Sequence, residues 1–454
     1  MLWKTSAYLR ILPLPGKEEV IIYHSLCGNP VVASPDTIKL LDFFRKPQEF
    51  EAAVKRGAQP TILELFRRNS FLVPDGNDER TKLHEIAKAR RDLATSGGLV
   101  THLRFFSAYC NFACSYCSIT HLNQLGHERM ISLGSRFPWS TAKLATETFL
   151  NLVNAHGHQL VRIRFFGGEP LLDWKVYQQV IEYVEGWVHR PRVEFYLNTN
   201  GSLITPEIAT FLKTHCIRTI ISLDGVEEVH NRFRIYPSGK GTYRSVWAGI
   251  ELLREAGVEL HINITINTAN IDHLRETIDL CKEIGAYDVG VEDLCFINCL
   301  SSAFMVEVER QKAAIIDAWR YGRQIGISVR GSWTGFRSLS DYTGPINYCA
   351  GAGEEICINH EGKVFPCFGI PLPIGTIDRL DECFHHPLYQ AMALRVTGNI
   401  PDCRGCEIEG PCGGGCAADA FAATHNVSSI AHEKCEMRRA IAKQLLIEQA
   451  RVSI

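Results

Sequence analysis

Between residues 100 and 300 the chain alternates short apolar runs with longer amphipathic stretches. The runs are THLRFF (101–106), VRIRFF (161–166), VEFYL (193–197), TIISL (219–223), LHINITI (260–266) and DVGVEDL (288–294). Between them, apolar positions recur at helical spacing near 141–155, 174–188, 206–214, 242–256 and 271–284. Strands that alternate with helices predict a parallel sheet, because each helical crossover returns the chain to the same end. Six such strands suit an α/β fold built as a partial (β/α)6 TIM-like barrel over 98–300. In such barrels chemistry belongs at the C-terminal ends of the strands.

The front of the chain reads differently. Apolar runs YLRIL, EVIIYHSL and PVVA lie within residues 7–33, separated by Pro and Gly, and helix-like stretches come next near 35–45, 47–56 and 60–69. Ser34-Pro35 is a helix start, and SFLVPDG (70–76) reads as a strand that closes the unit. This predicts a small module of strands followed by helices over 1–76, whose order resembles a winged helix, and a charged helical linker over 77–97. Residues 301–345 bridge the barrel to a last domain, 346–454, with helix over 306–326 and then a turn-rich loop.

Composition narrows the classes. Of 454 residues, 46% are hydrophobic and 22% charged, so a folded chain is expected rather than a disordered one. Forty-eight Lys and Arg against 50 Asp and Glu give a net charge of −2, so no global basic field points to nucleic acid or an anionic membrane. The first residues, MLWKTSAYLRILPLP, lack a signal-peptide core, and no window approaches a membrane span, which makes a cytoplasmic protein the expectation. Seventeen cysteines in a reducing compartment then call for metal or redox chemistry rather than disulfides.

The cysteines are clustered. Cys110, Cys114 and Cys117 lie directly after the first barrel strand, and Cys349, Cys357, Cys367, Cys383, Cys403, Cys406, Cys412, Cys416 and Cys435 crowd the last quarter. The ends of the other strands are also polar or glycine-rich: Gly167-Gly168-Glu169-Pro170, Asn198-Thr199-Asn200-Gly201, Ser222 with Asp224-Gly225, Asn263 and Asn267, and Glu292. Three thiolates at x3, x2 spacing can hold three corners of a [4Fe–4S] cubane and leave one iron open. A zinc site would need a fourth ligand, with His121 the nearest candidate.

The motif Cys110-x3-Cys114-x2-Cys117, with Tyr116 before the last cysteine, resembles the signature of radical S-adenosylmethionine (SAM) enzymes. The resemblance implies that the open iron chelates the methionine moiety of SAM, whose reductive cleavage gives a 5′-deoxyadenosyl radical. It further implies cofactor contacts from Gly167, Gly168 and Glu169 to the methionine amino group, from Ser222 to ribose or carboxylate, from Arg234 to carboxylate and from Tyr116 near adenine. Cys403-x2-Cys406-x5-Cys412-x3-Cys416 with Cys435, preceded by Cys349 and Cys367, resembles the SPASM domain of peptide-modifying members. That likeness implies two auxiliary [4Fe–4S] clusters, one on Cys349, Cys367 and Cys416 and the other on Cys403, Cys406, Cys412 and Cys435. The fourth position of the former is open, or taken by Cys357 or Cys299. A pair of zinc ribbons is the alternative for this block. Cys27, Cys216, Cys281, Cys295 and Cys383 read as small buried hydrophobes.

Strands followed by three helices over 7–73 resemble the element that reads leader peptides of ribosomally made precursors, which would add as a strand to an exposed sheet edge. Together these likenesses imply an oxygen-sensitive peptide maturase that abstracts a hydrogen atom from a precursor peptide and forms an intramolecular C–C, ether or thioether crosslink. A flavodoxin or ferredoxin is the implied electron donor. Peptide epimerisation and formylglycine formation in a sulfatase are the alternatives. No spacing singles out a catalytic acid or base among Glu292, Asp224 and Asp341.

Overall fold

The computed structural model describes residues 1–117, 136–294, 303–331 and 347–452. The front module holds two small sheets. Strands β2 (Leu9–Pro13), β3 (Val20–His24) and β4 (Gly28–Ala33) form an antiparallel sheet in that order, and β1 (Trp3–Thr5) pairs with β5 (Leu72–Pro74). The pairing of β1 was not expected, since three residues carry too short a pattern to read. Helices Pro35–Phe43, Phe50–Val54 and Pro60–Arg68 lie where the periodicity put them. The first is capped by Ser34, whose hydroxyl accepts from Thr37 N at 3.3 Å, with Pro35 in the first turn where no N–H is needed.

All six expected barrel strands are present: β6 (His102–Ser107), β7 (Leu160–Gly167), β8 (Arg192–Thr199), β9 (Arg218–Ser222), β10 (Leu260–Thr265) and β11 (Asp288–Glu292). The sheet is larger than six strands. β12 (Ser328–Arg330) adds in parallel beside β11, and β13 (Glu355–Ile358) adds in parallel beside β6, followed by antiparallel β14 (Lys363–Phe365) and β15 (Gly375–Thr376). β13 comes from the cysteine-rich quarter, so that region completes the barrel sheet rather than hanging from it.

Alternation along the strands separates two faces. Leu103, Phe105, Val161, Ile163, Phe165, Leu197, Ile221, Ile262 and Val289 join one apolar core with helices such as Trp139–Ala155 and Trp174–Glu185. The opposite, inward positions are largely polar, including His102, Arg104, Arg164, Glu194 and Asp288. Among the described residues no helix is long and apolar enough to cross a membrane.

The front module is seated on the cysteine-rich region. Arg80, just before the linker helix Thr81–Thr95, holds Glu409 with both terminal nitrogens, at 2.8 and 3.3 Å, and also donates to Gly398 O and Tyr8 Oη. Glu409 in turn accepts from Gly405 N at 3.0 Å. Ser25 O accepts from Gly410 N at 2.9 Å, and Arg10 donates to Gly405 O at 3.0 Å. Glu409 has no exposed side-chain surface, so removing its partner leaves a buried charge uncompensated. Arg80→Ala should therefore destabilise the protein by about 3–5 kcal/mol, read as a lowered denaturation midpoint in urea.

Candidate active site

The loop after β6 is fixed from three sides. Ala113 N donates to Ile235 O at 2.7 Å and Ser115 N to Phe233 O at 2.8 Å, so the segment after β9 braces the middle of the Cys110–Cys117 loop. Asn111 donates to Ser202 Oγ and accepts from Asn200 Nδ2, both at 2.9 Å, which ties the loop to the turn after β8. The third tie is backbone on backbone: Gly168 N donates to Ser107 O at 2.6 Å and Glu169 N to Tyr109 O at 2.8 Å. A Cβ on Gly167 would lie 1.8 Å from Ser107 O and one on Gly168 2.2 Å from Tyr109 O, so only glycine permits this approach.

Cys110, Cys114 and Cys117 are all half-buried, and Phe112 N donates to Cys110 Sγ at 3.4 Å. Burial pushes the Cys110 thiol up, and that of Cys114 to about 12, with the nearby Arg234 guanidinium pulling Cys114 back down. Such thiols need a metal to displace their protons. In the last quarter, a Cβ on Gly351 would lie 3.3 Å from Cys349 Sγ and 3.6 Å from Cys367 Sγ, so the missing side chain leaves room between two thiols of one expected set. Burial pushes up the thiols of Cys403, Cys412 and Cys435, and the neighbouring thiols of the same set add to the rise, which places the four sulfurs near one another. Soft sulfur donors in these two sets fit iron–sulfur clusters.

Several expected contacts are rearranged. Glu169 is fully buried, and its carboxylate accepts from Thr199 Oγ1 and Asn200 N at 2.7 Å and from Leu171 N at 2.9 Å. It clamps the ends of β7 and β8 together. Arg234, expected to hold a ligand carboxylate, holds one of the chain's own: its Nη2 donates to Asp224 Oδ1 at 3.1 Å and its Nε lies 2.9 Å from Oδ2. Tyr116 also donates its hydroxyl to Asp224, and its ring lies 5.5 Å from the Arg234 guanidinium. Asp224 accepts from Thr265 N as well, so this buried residue is an anchor and not a poised acid or base. The signal for it was the SLDG step itself, whose Asp carries no mark of its partner. Ser222 is half-buried at the end of β9, opposite Asn263.

Cys357 is buried on β13, and its thiol donates to Glu355 Oε1 at 3.5 Å. Cys281 and Cys383 are buried as expected, but Cys27 is only half-buried. Cys216 is exposed, at a turn with φ of 50°, which corrects its reading as a core residue. Cys295, Cys299, His121 and Asp341 lie outside the described residues.

Residues 105–281 match the Radical SAM superfamily. The chain carries a radical SAM domain. A relative with similarity along most of its length is the radical SAM cyclopropyl synthase TigE of Paramaledivibacter caminithermalis, 22% identical over 444 residues that cover 94% of this chain and 92% of that protein. Among solved structures, native anSMEcpe with bound AdoMet superposes with a TM-score of 0.65 at 19% identity, covering 77% of this chain and 99% of that one. Streptococcus suis SuiB bound to precursor peptide SuiA gives 0.55 at 15% identity, covering 95% and 98%. At these identities the structural likeness is one of fold: a radical SAM domain, with the front module and cysteine-rich quarter both inside the aligned length of SuiB.

The Glu169 clamp has a measurable signature. Its burial raises the carboxyl from the ordinary value near 4.5 to about 7. Unfolded chain therefore loses this proton first, and the stability contributed is present below pH 4.5 and declines as pH rises toward 7. Glu169→Gln should cost about 1–3 kcal/mol at pH 5 by leaving one donor unmatched, and thermal melts across pH 4.5 to 7 should show a flatter profile than the parent.

Proposed function

We propose that this chain is a radical SAM peptide maturase that abstracts a hydrogen atom from a precursor peptide and closes an intramolecular crosslink. Cys110, Cys114 and Cys117 would hold the SAM-binding [4Fe–4S] cluster. Gly167, Gly168 and Ser222, on the rim described above, would line the cofactor, with Glu169 fixing the loop that approaches it. Tyr116 and Arg234 would act one step back, through Asp224, by holding the Cys114 side of the loop. Cys349, Cys367 and Cys416 would hold one auxiliary cluster and Cys403, Cys406, Cys412 and Cys435 the other. The cluster with SAM supplies the oxidising power to break an unactivated C–H bond.

The observation that carries the reading is the union, in one chain, of the radical SAM domain with a front module whose strand β4 is bonded on one side only, to β3, among the described residues. A leader peptide would add there as a further strand, with backbone hydrogen bonds giving affinity and side-chain pockets setting register. Residues 1–76 would then be the leader reader, 77–97 its linker, 98–300 the catalytic barrel, 301–345 a bridge and 346–454 the auxiliary-cluster domain. The similarity to a cyclopropyl synthase and to a protein bound to its precursor peptide supports a peptide substrate. A net oxidation fits a chain with further thiol sets to accept the second electron, which an epimerase does not need. A low-potential flavodoxin or ferredoxin would supply the first electron.

Anaerobic co-expression with a short peptide encoded beside the gene, followed by mass spectrometry, tests this. A loss of about two mass units is expected, the mark of one radical turnover with a second electron removed. Cys110→Ala should abolish both the mass change and deoxyadenosine formation while iron remains on the other two sets. An unchanged mass with solvent deuterium in the peptide would replace crosslinking by epimerisation. An unchanged mass without deuterium would move a folded protein, such as a sulfatase, into the substrate's place.

A further inference from the structure

The inward face of the barrel sheet carries more arginine than its described carboxylates balance. Cross-strand register places Arg104, Arg164, Tyr196 and Arg218 in one row across β6, β7, β8 and β9. The inward row nearer the strand starts holds His102, Arg162 and Glu194. Arg104 is held by Glu355 at 2.7 Å and Arg162 by Glu194 at 3.1 Å. His102 contributes no charge near neutral pH, because burial lowers it to about 4.

Arg164 is the one left over on β7. Among the described residues no carboxylate lies within ion-pair distance of it, and its Nε is buried without a hydrogen-bond partner. Its guanidinium carbon sits 4.5 Å from the centre of the Tyr196 ring, which holds the planar group flat while leaving its fork free. Burial disfavours its charge and the neighbouring Arg104 and Arg162 add repulsion, which Glu355, itself bonded to Arg104, offsets only in part. A guanidinium kept half-buried beside two others, with no carboxylate among the described residues bonded to it, is costly unless something else supplies the partner. The thiol sets do not supply it: Arg104 is the guanidinium whose field acts on Cys357 and Cys367, whereas Arg164 turns to Tyr196.

We propose that Arg164 is a recognition site for a substrate carboxylate, either an acidic side chain near the modified residue or the free C-terminus of the peptide. The proposal rests on the peptide-maturase reading and narrows its substrate. The position suits it, since Arg164 precedes Gly167 by three residues on the same strand, about 10 Å below the rim where the cofactor would lie. An arginine fork closing on a carboxylate in two parallel hydrogen bonds would fix how far a residue enters the barrel.

The test uses the reconstituted full-length enzyme and three tripeptide probes read by saturation-transfer NMR. Acetyl-Ala-Glu-Ala-amide carries only a side-chain carboxylate, acetyl-Ala-Gln-Ala acid only a terminal one, and acetyl-Ala-Gln-Ala-amide neither. At least one carboxylate probe should bind roughly fivefold or more tightly than the neutral one, about 1 kcal/mol, and which one it is identifies the source. Arg164→Gln should erase that preference, and Arg164→Lys, which keeps the charge but loses the fork, should retain part of it. Equal binding of all three probes to the parent, or an undiminished preference in the folded Arg164→Gln protein, would overturn the proposal. Should Arg164→Gln not fold, the Lys variant decides by the same comparison. Failure of the parent to form deoxyadenosine with dithionite would instead defeat the radical reading and leave the binding comparison intact.

Discussion

The site depends on one close approach. Strand β7 ends at Gly167, and the backbone of Gly167 and Gly168 presses on residues 107–109, where β6 turns into the cysteine loop. Without side chains at Gly167 and Gly168 the two strand ends hydrogen-bond through their backbones, and Glu169 then reaches across to the end of β8. Three adjacent strand ends are thereby locked to one another, and the thiols emerge from the middle of that lock. A parallel sheet alone would bring these ends to one side. The glycines convert nearness into fixed position.

The two faces of the same sheet solve different problems. Outward positions bury aliphatic and aromatic side chains against the helices and supply the cohesion of the barrel. Inward positions are charged yet mostly paired, as Arg104 with Glu355 shows, where a residue of the cysteine-rich quarter neutralises one of the barrel. Because β13 is part of the barrel sheet, the last quarter adds to both the hydrogen-bond ladder and the charge balance of the radical SAM domain. Arg164 departs from this pattern, and departures of that kind are where a protein gives up stability for binding.

The front module is joined to the rest by an apolar contact, in which Leu14, Ile21 and Tyr23 enter the same core as Ile408, Met437 and Ile441, and by polar contacts of high specificity. Arg80 and Glu409 form a buried two-pronged pair, and Ser25 and Arg10 add backbone contacts to the stretch between Cys406 and Cys412 or just before it. The module therefore sits against the loop that carries three of the clustered thiols. A strand added at the open edge of β4 would join a body already docked to that loop.

Much of this molecule was legible in the order of its residues. Period-two and helical patterns located the six barrel strands and the helices between them, because alternation of apolar and polar positions is a local property imposed by a two-sided sheet. The cysteine spacings and the Gly167-Gly168-Glu169 step were equally local, and they marked the rim without reference to the fold. What only the tertiary structure decided were partners. That Arg234 and Tyr116 meet on Asp224, that Glu169 commits its carboxylate to the turn after β8, and that Arg80 finds Glu409 far along the chain all depend on strand register and docking. Spacing along a chain specifies which atoms are near in sequence, whereas a charged side chain takes its role from the one group that folding brings within hydrogen-bond reach.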